Sequence, residues 1–449
     1  MDAEQVRQLM PELRTFVDRY LAMLKEPEQR VNATVLLQGL LAGGDRRNVE
    51  NIAEAMNGPA VRTLQKFVSQ NGWDDKLLLA ELRRDVVESF GDEDAVLNVD
   101  ETGFPKKGEK SVGVKRQYSG ALGRVDNCQV GVFVNYWSAK GHVLFDRRLF
   151  LPEDWSADRQ RRAEAGVPEK VIFRTKPALA LSMIEQAVIE EVPFTWVGGD
   201  SVYGDSPAFV QGLRELEKWY VLDTSMDGRV WLQQPALRPV RHKSGRPVKR
   251  PLAVEKPMSV AQAVESLPES AWRRQRVADG SQGPRFYDYA ELKVWFSEEG
   301  RPAFQPERLL VRRSTGQEPE VKCQRSNAPP TIPQARLAAV GGTRWSIEQD
   351  FQAAKGECGL DEYETRGWTG WHHHTALSMI ALMFLAKQRQ RLGEKISADD
   401  GAGSTHHSSA STRLPKVGPT KDRRMVRTKA AKKQDRQSMP RQASSTRTR

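Results

Sequence analysis

Three acids sit where a purely structural role explains them poorly. Asp100 closes the short apolar run Ala95-Val96-Leu97-Asn98-Val99. Asp200 follows Phe194-Thr195-Trp196-Val197 across Gly198 and Gly199, and Glu348 stands among Trp345, Ile347 and Phe351. A carboxylate at the end of a buried strand is costly to desolvate unless a cation compensates it. Two Mg²⁺ ions, roughly 3.5–4 Å apart and bridged by carboxylate and phosphate oxygens, would compensate it and would also catalyse phosphoryl transfer. Mg²⁺ takes oxygen ligands and keeps several waters, so three side-chain carboxylates suffice. Taken singly, each acid reads equally well as the cap of a following turn. The neighbours of Glu348 shift that balance. Arg344 lies four residues before it and Lys355 seven after, and helical spacing stacks all three on one face. Such a pair is either a surface ion pair or, beside a metal-binding acid, a cationic grip on DNA phosphate.

The elements that must position these acids follow from periodicity. Val6, Leu9, Leu13, Phe16, Val17, Tyr20, Leu21 and Leu24 recur at three- and four-residue steps, and short helical patterns continue through the first ninety residues. Residues 48–57 and 61–70, split by Gly58-Pro59, fit a helix-turn-helix that sets Arg62 and Lys66 on DNA, with Arg46 and Arg47 nearby; an ordinary helical bundle fits as well. Residues 95–100, 129–137 and 142–150 read as strands, 179–191 as a helix and 194–197 as a further strand, an order that predicts a mixed sheet with helices against it. From 217 to 341 the segments are short, β-leaning and rich in Pro and Arg, as in an inserted β subdomain. Helices return at 343–356 and 375–391, with 376–386 the longest apolar stretch and a core helix by its length. The expected division is therefore a helical N-terminal domain, 1–92, with possible DNA binding; an α/β catalytic core, 93–216 and 342–392; a β-rich insertion, 217–341; and a disordered basic tail, 393–449.

The net charge of +11 points to an acidic polymer as partner, but its location matters more than its size. From Gly401 onward there are 13 Lys or Arg against Asp422 and Asp435, which is the whole excess; the body holds 56 basic and 56 acidic residues. A core that binds DNA must do so through local patches. Cys128, Cys323 and Cys358 are too few and too scattered for a disulfide framework or a zinc knuckle. No apolar run is long enough for a membrane span, and the start Met-Asp-Ala-Glu-Gln lacks a signal-peptide pattern, so a cytoplasmic, nucleoid-associated setting without membrane contact is expected.

Several other residues invite a role. Lys106, Lys107, Lys110, Lys115 and Arg116 follow the first acid and are expected along its groove. Arg238, Arg241, Lys243, Arg246, Lys249 and Arg250 form a basic loop that either binds DNA or is a solvated linker. Trp231, Trp272 and Trp295 either stack on an unpaired base or pack in the core, and packing is the expectation. Three consecutive histidines, His372, His373 and His374, point about 100° apart on a helix and cannot close on one ion, which leaves packing and phosphate contact. Asp205 rivals Asp200 but reads as a turn or helix cap. Glu101 points away from Asp100 if the strand continues.

Three separated blocks carry a family resemblance. The first runs from Asn98-Val99-Asp100-Glu101-Thr102-Gly103 through Lys106-Lys107-Gly108 to Tyr118 and Asn127-Cys128-Gln129. The second is Val197-Gly198-Gly199-Asp200-Ser201-Val202-Tyr203-Gly204. The third spans Arg344-Trp345-Ser346-Ile347-Glu348 to Lys355, then Gly359-Leu360-Asp361-Glu362-Tyr363 and Trp371 to Leu377. In this order they resemble bacterial insertion-sequence transposases with a DDE superfamily endonuclease domain, of the IS-four-like superfamily and its IS-seven-hundred-one-like group. The wider superfamily has a Tyr before the Arg, Glu and Lys of the last block; here Gly341 stands in that place, and Trp345 is a partial substitute.

The resemblance implies a ribonuclease-H-like core with the β insertion between its second and third acids. It implies that Asp100, Asp200 and Glu348 are catalytic and hold two Mg²⁺ ions, with Mn²⁺ as substitute. Arg344, Lys355, Lys106, Lys107, Lys115, Arg116, Arg241, Lys243, Arg246, Lys249 and Arg250 would bind DNA phosphate. The partners implied are terminal inverted repeats and target DNA, with a homodimer on DNA. A catalytically silent DNA-binding regulator and a nuclease without strand transfer are the alternatives.

Overall fold

The computed structural model describes residues 3–401 except 43–45, 57, 120–122, 239–251, 281–282, 299 and 317. Five helices come first: α1 (Ala3–Leu21), α2 (Pro27–Leu41), α3 (Val49–Ala55), α4 (Val61–Ser69) and α5 (Asp75–Phe90). Their starts are written locally. Pro27 opens α2 behind a Glu26/Gln29 capping box, and the side chains of Asn48 and Asp74 cap α3 and α5.

The sheet follows: β1 (Val96–Pro105), β2 (Lys115–Ser119), β3 (Arg124–Ser138) and β4 (Gly141–Phe150), then α6 (Glu153–Ala157), α7 (Arg159–Glu164) and α8 (Lys176–Ile189). After these come β5 (Trp196–Gly199), α9 (Ser201–Gly204), α10 (Pro207–Glu215) and β6 (Trp219–Thr224). β3 runs antiparallel to both β1 and β4, whereas β5 lies parallel to β1 and β6 parallel to β5. Three antiparallel strands followed by helix-linked parallel strands beside the first make a ribonuclease-H-like sheet, as expected.

Short elements then build the β-rich segment: β7 (Arg229–Trp231), β8 (Leu237–Arg238), β9 (Leu252–Ala253), β10 (Met258–Ser259), α11 (Val260–Glu265), β11 (Arg273–Gly280), β12 (Gly283–Glu298), β13 (Arg301–Pro302), β14 (Glu307–Ser314) and β15 (Val321–Ser326). β15 returns antiparallel to β6, so the two sheets are continuous across that pair. The chain closes with α12 (Gln334–Gly342), α13 (Trp345–Cys358) and α14 (Trp368–Gly401).

α14 is longer than its apolar stretch and has no single apolar stripe. It is wedged between β4 on one side and α2, α4 and α5 on the other, so residues 373–384 are all buried. One apolar cluster therefore runs from Leu13, Leu36 and Phe67 of the bundle through Ile380 and Met383 to Val99 and Phe133 of the sheet. Two smaller clusters serve the β-rich segment, and Trp231 and Trp295 are buried there. Cys128, Cys323 and Cys358 are free and buried. Among the described residues no helix is long and apolar enough to cross a membrane.

Candidate active site

β1 and β5 pair in parallel with Val99 opposite Gly199, which sets the next residues side by side: Asp200 just past the end of β5, and Asp100 midway along β1. β1 does not stop at Asp100 as its apolar run suggested; it continues to Pro105 because β3 pairs with it along its whole length. The glycines before Asp200 have a packing reason. A methyl group at Gly198 would stand 2.2 Å from Asn98 Oδ1, so only glycine lets β5 lie against β1 there.

Side chains on β1 alternate faces, and its even residues meet α13 and the turn before it. Asn98 accepts from Thr343 Oγ1 at 3.2 Å, Arg344 Nη1 lies 3.6 Å from Asp100 Oδ2, and Lys355 Nζ donates to Thr102 Oγ1 at 2.8 Å. A buried polar network fixes the helix in this position. Asn135 receives Asn98 Nδ2 and donates to Ser346 Oγ and Asp350 Oδ2, and Asp350 also meets His142 Nδ1 at 2.8 Å. Glu348 is thereby held at the sheet end, where Arg344 Nη1 reaches its Oε1 at 2.8 Å.

The odd residue Glu101 faces the other helices. Its carboxylate accepts from Lys176 Nζ at 2.7 Å and Tyr203 OH at 2.8 Å. It turns away from Asp100 as the alternation predicts, yet its charge still reaches the site. Burial, then the charges of Asp200 and Glu101, push the Asp100 carboxyl up to about 7. Burial and the Glu101 charge push Asp200 up to about 6. Asp223, at the end of β6, adds to that repulsion and lies 3.5 Å from Arg344 Nε. Glu101 and Asp223 are thus two acids of the site whose influence sequence reasoning missed. Asp223 follows the apolar run Tyr220-Val221-Leu222 as Asp100 follows Val96-Leu97-Asn98-Val99, and that was the one signal available.

This donor set suits a hard divalent cation. It offers carboxylate oxygens without a thiolate or imidazole, and Asp100 and Asp200 are buried beside other acids whose repulsion Arg344 only partly offsets. Among the described residues no three His, Cys, Asp or Glu side chains form a ready-made cage, and a guanidinium stands between Asp100 and Glu348 instead. Asp200 also caps α9, accepting from Val202 N at 3.0 Å. Asp205 accepts from Thr224 Oγ1 and Ser225 N, a turn role like the one expected.

The basic residues divide into engaged and free. Lys106 donates to Tyr363 O at 3.0 Å and lies 3.5 Å from that ring's centre; burial pulls its ammonium down to about 8. Lys115 pairs with Asp154, while Lys107 and Arg116 are exposed. Arg241, Lys243, Arg246, Lys249 and Arg250 lie outside the described residues. On α4, the exposed Arg62, Gln65 and Lys66 line a cleft of about 520 Å³ that faces Arg366 and residues 363–367. The three histidines diverge. His373 bonds Val68 O and Trp73 O and stacks on Trp73, His374 bonds Gly359 O, and His372 bonds Trp368 O. Their work is packing.

Comparison with known proteins adds two findings. Residues 19–284 match the family described as DDE superfamily endonuclease. A probable transposase for insertion sequence element IS701 from Microchaete diplosiphon is 30% identical over 214 residues, 46% of this chain and 53% of that protein, so the match spans about half the length of the relative.

Proposed function

This chain belongs to the DDE superfamily endonucleases, and from that premise we propose that it is a DNA transposase. It cleaves phosphodiester bonds at the ends of its own element and joins the freed ends to target DNA. The observation that carries the reading is the juxtaposition of Asp100 and Asp200 on adjacent parallel strands, both destabilised as anions by burial and by neighbouring acids, with Arg344 linking Asp100 to Glu348. Asp100, Asp200 and Glu348 would hold Mg²⁺, with Mn²⁺ as substitute, as a pair of ions. Bound there, such ions supply Lewis-acid stabilisation of the charge that builds on the phosphate oxygens.

The chain's own groups do the rest. Arg344 presents its Nη edge to the phosphate that displaces it from Asp100 and Glu348, and Lys355 steadies the adjoining backbone from the α13 face. Lys106, Lys107, Lys115 and Arg116 continue the grip beyond β1. Arg241, Lys243, Arg246, Lys249 and Arg250 are assigned to the same task from the sequence alone. We divide the chain into a helical domain, 1–92, a catalytic core, 93–216 and 342–392, a β-rich insertion, 217–341, and a basic tail, 393–449. The α4 cleft suits the terminal repeat: Glu50 and Glu364 also line it, but Glu364 is paired with Arg46, and no ion pair engages Arg62, Lys66 or Arg366 among the described residues. The setting is the bacterial cytoplasm, with a homodimer assembled on DNA.

Purified protein with Mg²⁺ should nick a duplex carrying the inverted repeats that flank its gene and join the ends to a target plasmid. Asp100→Ala, Asp200→Ala and Glu348→Ala should each slow cleavage on the order of a thousandfold, since several kcal/mol of transition-state stabilisation are lost. Unchanged rates would sink the assignment. Cleavage without joining moves the reading to a nuclease.

A further inference from the structure

Asp223 is an acid of the site that none of the three sequence blocks contains. Its Oδ2 lies 3.5 Å from Arg344 Nε, whereas Arg344 Nη1 serves Glu348 at 2.8 Å and Asp100 at 3.6 Å. The Oδ1 atom of Asp223 accepts a hydrogen bond of 2.8 Å from Gln324 Nε2, and the two residues are direct partners across the antiparallel pair of β6 and β15. Gln324 is itself confined. A methyl group at Gly341 of α12 would stand 2.3 Å from its Oε1 and 2.8 Å from its Nε2, so the amide occupies the space a side chain there would need. Gly341, Gln324, Asp223 and Arg344 thus form one line of contacts drawn from α12, β15, β6 and the start of α13.

We propose that Asp223 is a positioning residue for Arg344, holding the Nε edge of the guanidinium so that its Nη edge stays aimed at the scissile phosphate. The inference rests on the functional reading above. A guanidinium is a rigid plane with donors on two edges, and a carboxylate on one edge fixes the direction of the other. Asp100 and Glu348 cannot supply that hold once a cation engages their oxygens. Asp223 can, because one of its oxygens is committed to Gln324 and the other faces the Nε edge of Arg344. The return strand of the β-rich segment thereby contributes to the aim of a residue on the catalytic helix.

Single-turnover cleavage of end DNA by the full chain tests this. Asp223→Asn should lower the rate at saturating DNA on the order of ten- to a hundredfold, the scale of a small misplacement, with half-saturation changed less than about threefold. In an Arg344→Ala background the same substitution should add nothing, because the two act as one unit. Gly341→Ala, which displaces Gln324, should act in the same direction and more weakly. An unchanged rate, an equal slowing in both backgrounds, or loss of Mg²⁺ binding in Asp223→Asn overturns the proposal, the last by making Asp223 a ligand. A second readout is independent of cleavage. The Nε–H resonance of Arg344, identified by its loss in Arg344→Lys, should move in Asp223→Asn and stay fixed in Asp205→Asn. A resonance that does not move overturns the positioning role even if the wild type cuts no DNA. Normal cleavage by Asp100→Ala instead sinks the functional reading and leaves the resonance to decide this one.

Discussion

Asp100 and Asp146 are both carboxylates taken out of water on the same sheet, and their surroundings drive them in opposite directions. Asp146, on β4, is fully buried, yet Arg148, Arg83 and Arg147 overcome the cost of burial and hold its carboxyl below the ordinary range. Glu307 is a second case, buried against Arg325 and Arg214. Asp100 keeps 17% of its side chain exposed and is nevertheless pushed up to about 7, by burial first and then by the charges of Asp200 and Glu101, against which Arg344 alone lies close. A buried acid ringed by arginines has its charge compensated and serves the fold, even though Asp146 Oδ2 itself accepts no hydrogen bond. A buried acid ringed by acids is short of positive charge, and the fold tolerates that shortage only where a cation is to be bound.

The contrast can be broken by isosteric substitution. Asp146→Asn should cost about 3 kcal/mol or more, because it leaves arginines without their shared anion, and denaturant unfolding measures it. Asp100→Asn should do the reverse in metal-free protein at pH 8. A carboxyl whose folded pKa lies near 7 against an unfolded value near 3.8 loses stability as pH rises through that window, so removing it should add about 1–3 kcal/mol. If both variants are destabilised alike, the distinction fails.

Buried histidines extend the comparison to groups kept neutral. Burial holds His374 down to about 4 and His372 down to about 3. Each contributes stability that is fully present above the unfolded value near 6.5 and is lost as pH falls through the folded one. The unfolding free energy should therefore drop by about 1–3 kcal/mol between pH 6.5 and 4 in denaturant titrations, and a flat profile would count against this burial. The smallest effects belong to cations with no acid to satisfy. Arg62→Ala or Lys66→Ala should weaken binding to end DNA about threefold and reduce the salt slope by about one, with cleavage at saturation unchanged.

The strands leading to Asp100 and Asp200 and the helix carrying Glu348 were legible because each is local: an apolar run, a pair of glycines, a four-residue spacing. That β1 runs on past Asp100 to Pro105 was not, because pairing with β3 decides it. Boundaries moved where packing decides them. β3 begins at Arg124, ahead of its apolar part, because β2 pairs with that polar stretch, and α14 extends well past its apolar stretch at both ends. What the sequence could not display is pairing at long range. Asn98 meets Asn135, and Asn135 meets Asp350 more than two hundred residues away, while Gln324 meets Asp223 only because β15 returns to β6. Glu101 was placed on the correct face, but its charge on Asp200 depends on a strand pairing with no local sign.

Binding of a divalent cation by Asp100 on β1 and Asp200 after β5 is the point on which the functional reading turns. Calorimetric titration of the full chain with Mg²⁺ at pH 6.5, in two buffers of different ionisation heat, tests it most directly. The account predicts binding coupled to proton release, with both signals lost in an Asp100→Asn, Asp200→Asn double variant. Binding of equal strength in that variant, or uptake by the wild type with no proton released, would contradict it.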